Sequence, residues 1–287
     1  MFRLAAGAVF ISFSPVFVRL SEVPATVSGF YRTLIGGAIL VVVVRMRREP
    51  FFDSPRALLV LVVASVFFAA DLWFWHRSIL IVGPGLATLL ASFQVFVLAL
   101  AGALLLREGM RWELMVSIPM ALIGLGMIVG FDWSVLEIRY RLGVIFGLMA
   151  ALLYAGYLLS LRWARTGYHR SSSFGDLAIV CVITTVLLAW FAWAEGSSLR
   201  LTTLASLGWL TAYGVLGQVF GWVLISSALH QLPAAKVGLV ILLQPVLTYV
   251  WDILFFGRAL STTEVAGAAL AIAAIYLGAR PARTELK

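Results

Sequence analysis

Long apolar runs recur along the whole chain, and short stretches rich in charge, proline or glycine separate them. Most runs contain about 20 residues, the length that an α-helix needs to cross a bilayer core roughly 30 Å thick. Because a spanning segment must satisfy its own backbone polar groups, such runs predict transmembrane α-helices. Ten segments are predicted, at residues 3–20, 24–44, 57–80, 84–106, 112–130, 142–163, 173–194, 206–229, 234–256 and 263–280.

Composition supports a bilayer environment. The chain has 287 residues, of which 62% are hydrophobic and 12% charged, and its mean hydropathy is +1.04. Soluble domains average nearer 50% apolar and 25% charged residues. The predicted fold class is therefore an all-α integral membrane protein with ten transmembrane helices, which leaves no separate soluble catalytic or nucleic-acid-binding domain. The single cysteine, Cys181, excludes an intramolecular disulfide and a cysteine-rich metal site.

The net charge of +8 reflects basic residues that lie mostly between the apolar runs. One predicted side carries Arg3, Arg45, Arg47, Arg48, Arg56, Arg107, Arg111, Arg162, Arg165, Arg170, Lys236, Arg280, Arg283 and Lys287. The other side carries Arg19, Arg77, Arg139, Arg141, Arg200 and Arg258. The positive-inside rule places the more basic side, with both termini, in the cytoplasm. We expect a multi-pass protein of the bacterial inner membrane whose basic residues set topology and bind no nucleic acid.

An internal repeat divides the chain into residues 1–135 and 136–287. A shift of 150 residues places Gln94 over Gln244, and Glu113 falls one residue from Glu264. Each half contains five predicted helices, an odd number, so the second copy enters the membrane from the opposite side. This predicts an inverted-topology repeat, the architecture that gives transporters two exchangeable halves around a site near the bilayer midplane.

These residues also carry a family resemblance. The run from Leu232 to Gly238, followed by Gln244-Pro245 and by Glu264 to Gly267, resembles the second repeat of the drug/metabolite transporter superfamily, in its ten-helix, EamA-like branch. Phe30 to Leu34 and Arg107-Glu108 resemble landmarks of the first repeat. The stretch from Ala69 to His76 is most similar to bacterial exporters of aromatic amino acids. The resemblance implies a five-plus-five helix transporter that exports such amino acids.

One departure from the family bears on energy coupling. The family often has Glu-Pro where this chain has Gln244-Pro245. A proton coupling that depended on a glutamate at this position would be absent here. The sequence therefore favours facilitative transport.

Four polar residues fall near the middle of their predicted segments: Ser12, Gln94, Gln218 and Gln244. A polar group in hydrocarbon must bond to a neighbouring helix or face a wet cavity. One interpretation is interhelical hydrogen bonding, a common role of Gln and Ser in helix bundles. The other is a central substrate site, to which Pro245 could add a carbonyl released from the preceding turn.

Two charges lie deep in the first half. Arg32 in the second segment and Asp71 in the third should reach similar depths in the bilayer. They could form a structural ion pair that neutralises both charges, which is the favoured interpretation, or serve as a gate or substrate anchor. Asp252, near the outer end, could pair with a basic residue such as Arg258.

Aromatic residues with polar edges complete the candidate site. Trp73 and His76 share one face of the third segment, and Trp222, Tyr154 and Tyr157 lie deep in the second half. An indole stacks on aromatic rings or attracts an ammonium group, and an imidazole bonds to carboxylates. The predicted substrate-binding residues are Ser12, Trp73, His76, Gln94, Tyr157, Gln218, Trp222 and Gln244. Plain core packing is the alternative for each aromatic residue.

The chain lacks the motifs of common enzyme classes. It contains no H-E-x-x-H, G-x-S-x-G or G-x-x-x-x-G-K-[ST] sequence, so we expect no enzyme, cofactor, metal or ATP-driven step. A channel is a further alternative, but inverted repeats suit alternating access better. The predicted function is export of aromatic and other large neutral amino acids by a monomer or weak oligomer. The alternative is a proton-coupled exporter of lipophilic cationic drugs or other small metabolites, which an unpaired Asp71 would favour.

Overall fold

The computed structural model describes residues 2–52, 54–105, 112–129, 137–167, 172–229, 240–241, 243–257 and 261–278. All regular secondary structure in these ranges is helical. The α-helices, numbered in chain order, are α1 (Phe2–Ser12), α2 (Ser14–Leu20), α3 (Ala25–Arg47), α4 (Pro55–Val82), α5 (Pro84–Ala91), α6 (Gln94–Leu105), α7 (Trp112–Val129), α8 (Ile138–Gly167), α9 (Ser173–Ala194), α10 (Leu204–Ala212), α11 (Trp222–Leu229), α12 (Leu243–Phe256) and α13 (Thr262–Gly278). A π-helical segment, Tyr213–Gly221, joins α10 to α11.

The lengths of the helices fit a membrane protein. Six helical stretches within the described ranges are long and apolar enough to cross a bilayer: Phe2–Leu20, Ala25–Arg47, Pro55–Val82, Ile138–Ala164, Ser173–Ala194 and Leu204–Ala228. Four shorter apolar helices cover Pro84–Leu98, Met115–Gly124, Leu243–Phe256 and Thr262–Ala274. The all-helical architecture with membrane-length helices is thus confirmed, whereas the count of ten spans and their inverted repeat stay predictions.

Three predicted segments are interrupted, which the sequence analysis did not anticipate. The first divides at Phe13, because Pro15 in the first turn of α2 has no N–H for the preceding turn. The fourth divides at Ser92-Phe93, where the amide of Phe93 donates to the carbonyl of Leu90 and continues the chain as a tighter turn. The eighth passes through the π-helical segment Tyr213–Gly221. These interruptions bring irregular backbone to the middle of the bundle.

The helices pair in a regular way. Extensive contacts join α4 to α8, α3 to α9, α7 to α13 and α5 to α12, and α1 packs on the π-helical segment and α11. Small residues permit the close approaches. A Cβ atom on Gly37 would lie 2.9 Å from Cβ of Cys181, and one on Gly29 would lie 3.2 Å from Leu188. As α3 advances from Gly29 to Gly37, its partner retreats from Leu188 to Cys181, so α3 and α9 are antiparallel.

At one end of the bundle, a polar cluster joins α3 and α4 to the end of α9. The carboxylate of Glu195 pairs with the Arg77 guanidinium at 2.6 Å and accepts hydrogen bonds from Thr26 at 2.8 Å and from the Trp73 indole at 2.5 Å. The Arg77 guanidinium lies 3.7 Å from the centre of the Trp73 ring. These four residues, the end cluster, connect helices from the two predicted halves.

The approach of α7 to α13 leaves no room for a side chain at Gly124. A Cβ there would lie 2.7 Å from both the backbone nitrogen of Ala271 and the carbonyl oxygen of Gly267. We predict that Gly124→Ala forces the helices apart and lowers the free energy of unfolding by about 1–3 kcal/mol. Thermal melting in detergent checks this. Gly208→Ala is the control, because nothing lies within 4 Å of a Cβ at Gly208 and the change should stabilise α10. Equal melting temperatures for both variants would contradict the packing argument.

The end cluster gives a second stability prediction. Glu195→Gln removes the charge that faces Arg77, whose side chain is only 20% exposed. We expect the free energy of unfolding to fall by about 1–3 kcal/mol, as for the loss of a charged hydrogen bond in a half-buried site. Glu22→Gln makes the same change in charge at an exposed position between α2 and α3. If Glu22→Gln destabilises the protein as much, the effect belongs to net charge and not to the cluster.

Candidate functional site

A small cavity of about 40 Å³ lies between the helices of the bundle. It is enclosed by helices from both predicted halves, and its walls combine charged, amide, hydroxyl and aromatic side chains. The lining residues are Ile11, Arg32, Phe68, Asp71, Leu72, Trp75, Thr88, Ala91, Ser92, Gln94, Tyr154, Trp222, Ile241 and Gln244. The interrupted first, fourth and eighth segments all contribute to it. Apolar and aromatic walls with a few polar groups among them are typical of the lining of small-molecule sites.

Arg32 and Asp71 line this cavity without pairing. The guanidinium of Arg32 donates from Nε to Gln218 Oε1 at 2.8 Å and from Nη1 to the Tyr213 hydroxyl at 2.7 Å. No ion pair between described residues joins it to Asp71, and no hydrogen bond from those residues reaches the Asp71 carboxylate. The direct ion pair expected from sequence is therefore not formed, because two uncharged acceptors hold the guanidinium. Both residues are buried, with at most 6% of either exposed.

A chain of hydrogen bonds continues behind Arg32. His76 Nδ1 lies 2.5 Å from the carbonyl oxygen of Leu72, and its Nε2 lies 3.0 Å from the Tyr213 hydroxyl. A carbonyl can only accept, so Nδ1 carries the proton and Nε2 of the neutral ring accepts from Tyr213. On the other side, Gln218 Nε2 donates to Cys181 Sγ at 3.1 Å. His76 and Gln218 are thus second-layer residues and do not line the cavity, contrary to their predicted contact with substrate.

Two of the three predicted amides reach the cavity. Gln94, in the first turn of α6, and Gln244, in the first turn of α12, are both among its lining residues. The buried Oε1 of Gln94 has no hydrogen-bond partner within the described residues. The two residues that the predicted repeat aligns therefore line the same cavity.

The aromatic wall comes from both halves. Trp75, Phe68, Tyr154 and Trp222 line the cavity. Tyr157 lies one layer behind, with its ring 4.5 Å from that of Phe68 and 4.9 Å from that of Trp222. The buried indole nitrogens of Trp75 and Trp222 and the Tyr157 hydroxyl have no hydrogen-bond partner in the part of the chain that the structure describes. Unpaired buried donors beside a cavity indicate a place for water or ligand.

Two predicted residues lie elsewhere. Trp73 belongs to the end cluster, where its indole bonds to Glu195, and the neighbouring Trp75 faces the cavity instead. Ser12 ends α1, where its hydroxyl donates to the Val9 carbonyl and accepts from the Trp251 indole at 3.0 Å. Residues two positions apart point to different sides of a helix, so Trp73 and Trp75 have different surroundings, and the substrate contact of Trp73 stays a prediction.

Sequence reasoning missed Tyr213 and the cavity residues Thr88 and Ser92. A buried arginine needs hydrogen-bond acceptors, so Arg32 by itself indicates that acceptors lie nearby. Tyr213 and Gln218 were not recognised as these acceptors because residues five apart do not lie on one face of an α-helix. Asp252 was expected to pair with a basic residue such as Arg258, which lies outside the described residues. The Asp252 carboxylate instead lies 3.6 Å from the Arg19 guanidinium and accepts a hydrogen bond from the backbone amide of Gly85 at 3.1 Å.

The described residues contain no group of three or more His, Cys, Asp or Glu side chains placed to hold a metal ion. The site is thus a mixed polar and aromatic cavity. Its lining offers contacts to both apolar and polar groups.

Comparisons with known proteins agree with this architecture. The model of the EamA-like transporter family matches residues 1–130 and 141–279. An uncharacterized inner membrane transporter of Escherichia coli K12, YhbE, is 28% identical over 264 residues, which cover 89% of this chain and 77% of YhbE. An uncharacterized transporter of Haemophilus influenzae is 22% identical and covers 81% of this chain and 76% of its own length.

A solved crystal structure with 16% sequence identity covers 100% of this chain and 98% of its own, with a TM-score of 0.73. At that identity the likeness concerns the fold alone. The two relatives are described as uncharacterized, so they give no support to the specific resemblance to aromatic amino acid exporters. The match of the family model over both halves is decisive for membership: the chain belongs to the EamA-like transporter family.

Proposed function

We propose that the protein exports amino acids with aromatic or other large apolar side chains, by alternating access and without a coupled ion. The observation that carries this proposal is the pair of opposite charges on the wall of one aromatic cavity. Asp71 has no ion-pair or hydrogen-bond partner among the described residues, and Arg32 Nη2 makes no hydrogen bond to them. A zwitterion supplies a complementary group to each.

The chemistry of such a complex follows from the lining residues. The ammonium group of the solute would meet the Asp71 carboxylate, and its carboxylate would meet Arg32, with Gln94 and Gln244 as further hydrogen-bond partners. Trp75 and Trp222 offer indole faces to an aromatic or aliphatic side chain. Away from bulk water these charged contacts are strong, so a solute that carries both charges offsets the cost of two buried ions.

Alternating access is supported by how the helices pair. Exchanging each predicted segment with the one five places later turns the most extensive helix pairs into other observed pairs or into themselves. The exchange turns three pairs into themselves: α3 with α9, α7 with α13 and α5 with α12. It turns the pair of α4 and α8 into the pair formed by α1 and the π-helical segment. The antiparallel packing of α3 and α9 agrees with inversion of residues 136–287 relative to 1–135. Two such halves could rock about the central cavity.

The proposed location is the inner membrane, with both termini in the cytoplasm. The basic residues divide 14 to 6 between the two predicted sides, and the Escherichia coli relative is named as an inner membrane transporter. In the proposal the end cluster lies on the outer side, since Arg77 belongs to the less basic set. The active unit is a monomer or weak oligomer.

A second candidate function is favoured by one specific observation. An unpaired buried carboxylate beside aromatic rings is also suited to a lipophilic cation. Asp71 could then bind the cation or a proton in alternation, which would couple drug export to the proton gradient. The two candidates differ in the need for a solute carboxylate and in the response to a pH gradient.

Transport into proteoliposomes separates the two candidates. We expect saturable uptake of labelled phenylalanine and leucine that an imposed pH gradient leaves unchanged, and no uptake of a quaternary ammonium dye. Empty liposomes provide the background. Dye transport that requires the pH gradient, without amino acid uptake, would replace the amino acid proposal with the cation proposal.

Trp222→Ala tests the aromatic wall. Trp222 is 2% exposed and lines the cavity, so its loss should raise the KM for phenylalanine about tenfold while folded protein is still recovered. Trp193→Ala is the control, because Trp193 is 77% exposed at the end of α9. Kinetics of both variants in proteoliposomes check this. A normal KM for Trp222→Ala would remove this residue from the proposed site.

A further inference from the structure

The two acceptors that hold Arg32 both belong to the π-helical segment. Tyr213 begins Tyr213–Gly221, and Gln218 follows five residues later. The hydroxyl of Tyr213 accepts from Nη1 at 2.7 Å, and the amide oxygen of Gln218 accepts from Nε at 2.8 Å. All three side chains are buried, with Tyr213 and Gln218 fully so. We call this set the arginine clamp (Arg32, Tyr213 and Gln218).

The clamp depends on the π-helical geometry. In an α-helix, with 3.6 residues per turn, residues five apart differ by about 140° in direction and could not both meet one guanidinium from the same side. In a π-helix the hydrogen bonds run between residues five apart, so such residues lie one turn apart on one face. The unusual helix type therefore has a defined effect on the site, which is to turn Tyr213 and Gln218 toward Arg32.

Each acceptor is fixed by a further partner. The Tyr213 hydroxyl donates a hydrogen bond to His76 Nε2, and His76 is oriented by its hydrogen bond to the carbonyl of Leu72. The amide nitrogen of Gln218 is bonded to Cys181 Sγ, which leaves its oxygen directed at the guanidinium. A hydrogen-bond network in which every member has a partner rigidifies the groups it contains.

Electrostatics alone would favour a different arrangement. Arg32 and Asp71 are opposite charges on the wall of one cavity, and their attraction is strong in a low-dielectric interior. A closed pair would neutralise both charges and leave no group for an ammonium or a carboxylate. The uncharged acceptors of the clamp compete with Asp71 for the guanidinium and keep the two charges separately available.

We propose that Tyr213 and Gln218, supported by His76, are positioning residues that hold the Arg32 guanidinium away from Asp71 and thereby make the cavity selective for solutes carrying both charges. This inference rests on the proposed function for its substrate class. The separation of Arg32 from Asp71 does not depend on the proposed function, because it can be measured without any solute. His76 thereby acts through Tyr213 and not by contact with substrate.

The first test measures the availability of Asp71 directly. Purified protein is treated with dicyclohexylcarbodiimide, and modification of Asp71 is followed by mass spectrometry of its peptide. The reagent reacts with a protonated carboxyl group. A guanidinium that pairs with the carboxylate keeps it ionised and therefore slows the reaction. We expect Tyr213→Phe, which keeps the ring but loses the hydroxyl, to lower the rate of modification about tenfold relative to the wild type.

Tyr31→Phe is the matched control. Tyr31 is adjacent to the clamp in sequence, but its hydroxyl donates to the carbonyl of Leu199 at 2.7 Å, away from Arg32. It should leave the modification of Asp71 unchanged. Gln218→Leu removes the other acceptor and should also lower the rate of Asp71 modification. It is the variant to measure if Tyr213→Phe does not fold. Unreactive Asp71 in the wild type, or unchanged reactivity in the clamp variant, would overturn the proposal.

The second test compares phenylalanine with phenethylamine, which lacks the carboxylate, and phenylpropionate, which lacks the ammonium. The wild type should favour phenylalanine over both. Tyr213→Phe should raise the KM for phenylalanine about tenfold and change kcat less, since it removes binding groups and not the transport pathway. Unchanged KM would contradict the selectivity part. If the wild type moves no phenylalanine, the proposed function fails, while the labelling experiment still decides whether the clamp separates the two charges.

Discussion

The need to satisfy the buried guanidinium of Arg32 determines most of the arrangement around the cavity. An unpaired charge in a membrane interior costs several kcal/mol, so the chain must bring acceptors to it. It does so with two uncharged side chains of one π-helical segment, Tyr213 and Gln218. That choice has consequences in two directions. Tyr213 and Gln218 bond in turn to His76 and Cys181. On the side of the cavity, Asp71 has no ion pair within the ranges that the structure describes.

The cavity exists because several helices are not continuous at its level. Pro15, the tight turn at Ser92-Phe93 and the π-helical segment each interrupt regular α-helix in a segment that lines the cavity. Irregular backbone at membrane depth is tolerated only where protein or a wet cavity covers it. The indole nitrogens of Trp75 and Trp222 have no partner among the described residues, as is expected of buried donors beside a space that can hold water or a ligand.

The end cluster and the cavity use the same kinds of side chain for different purposes. At the end of the bundle, Glu195, Arg77 and Trp73 satisfy one another completely and join helices of the two halves. In the cavity wall, Asp71 and the Trp75 indole nitrogen have no hydrogen-bond partner among the described residues, and Arg32 is held by the uncharged Tyr213 and Gln218. In a two-state carrier this contrast is expected, since contacts that close one end must form and break while the binding groups stay free for solute.

Sequence alone determined the membrane environment and the helical architecture, because hydrophobic run length depends only on local composition. The family was indicated separately, by the resemblance of motifs such as Gln244-Pro245. It also selected Gln94, Gln244, Trp222, Arg32 and Asp71, all of which line the cavity, because polar or amphipathic residues far from the ends of an apolar segment can be recognised from their position along it. It could not decide which face each helix presents, so Trp73 was selected where Trp75 lines the site. The sequence also could not identify the hydrogen-bond partners of Arg32, because an α-helical period does not place Tyr213 and Gln218 on one face. Only the tertiary structure, by inserting a π-helix, decided whether two opposite charges neutralise each other or remain available.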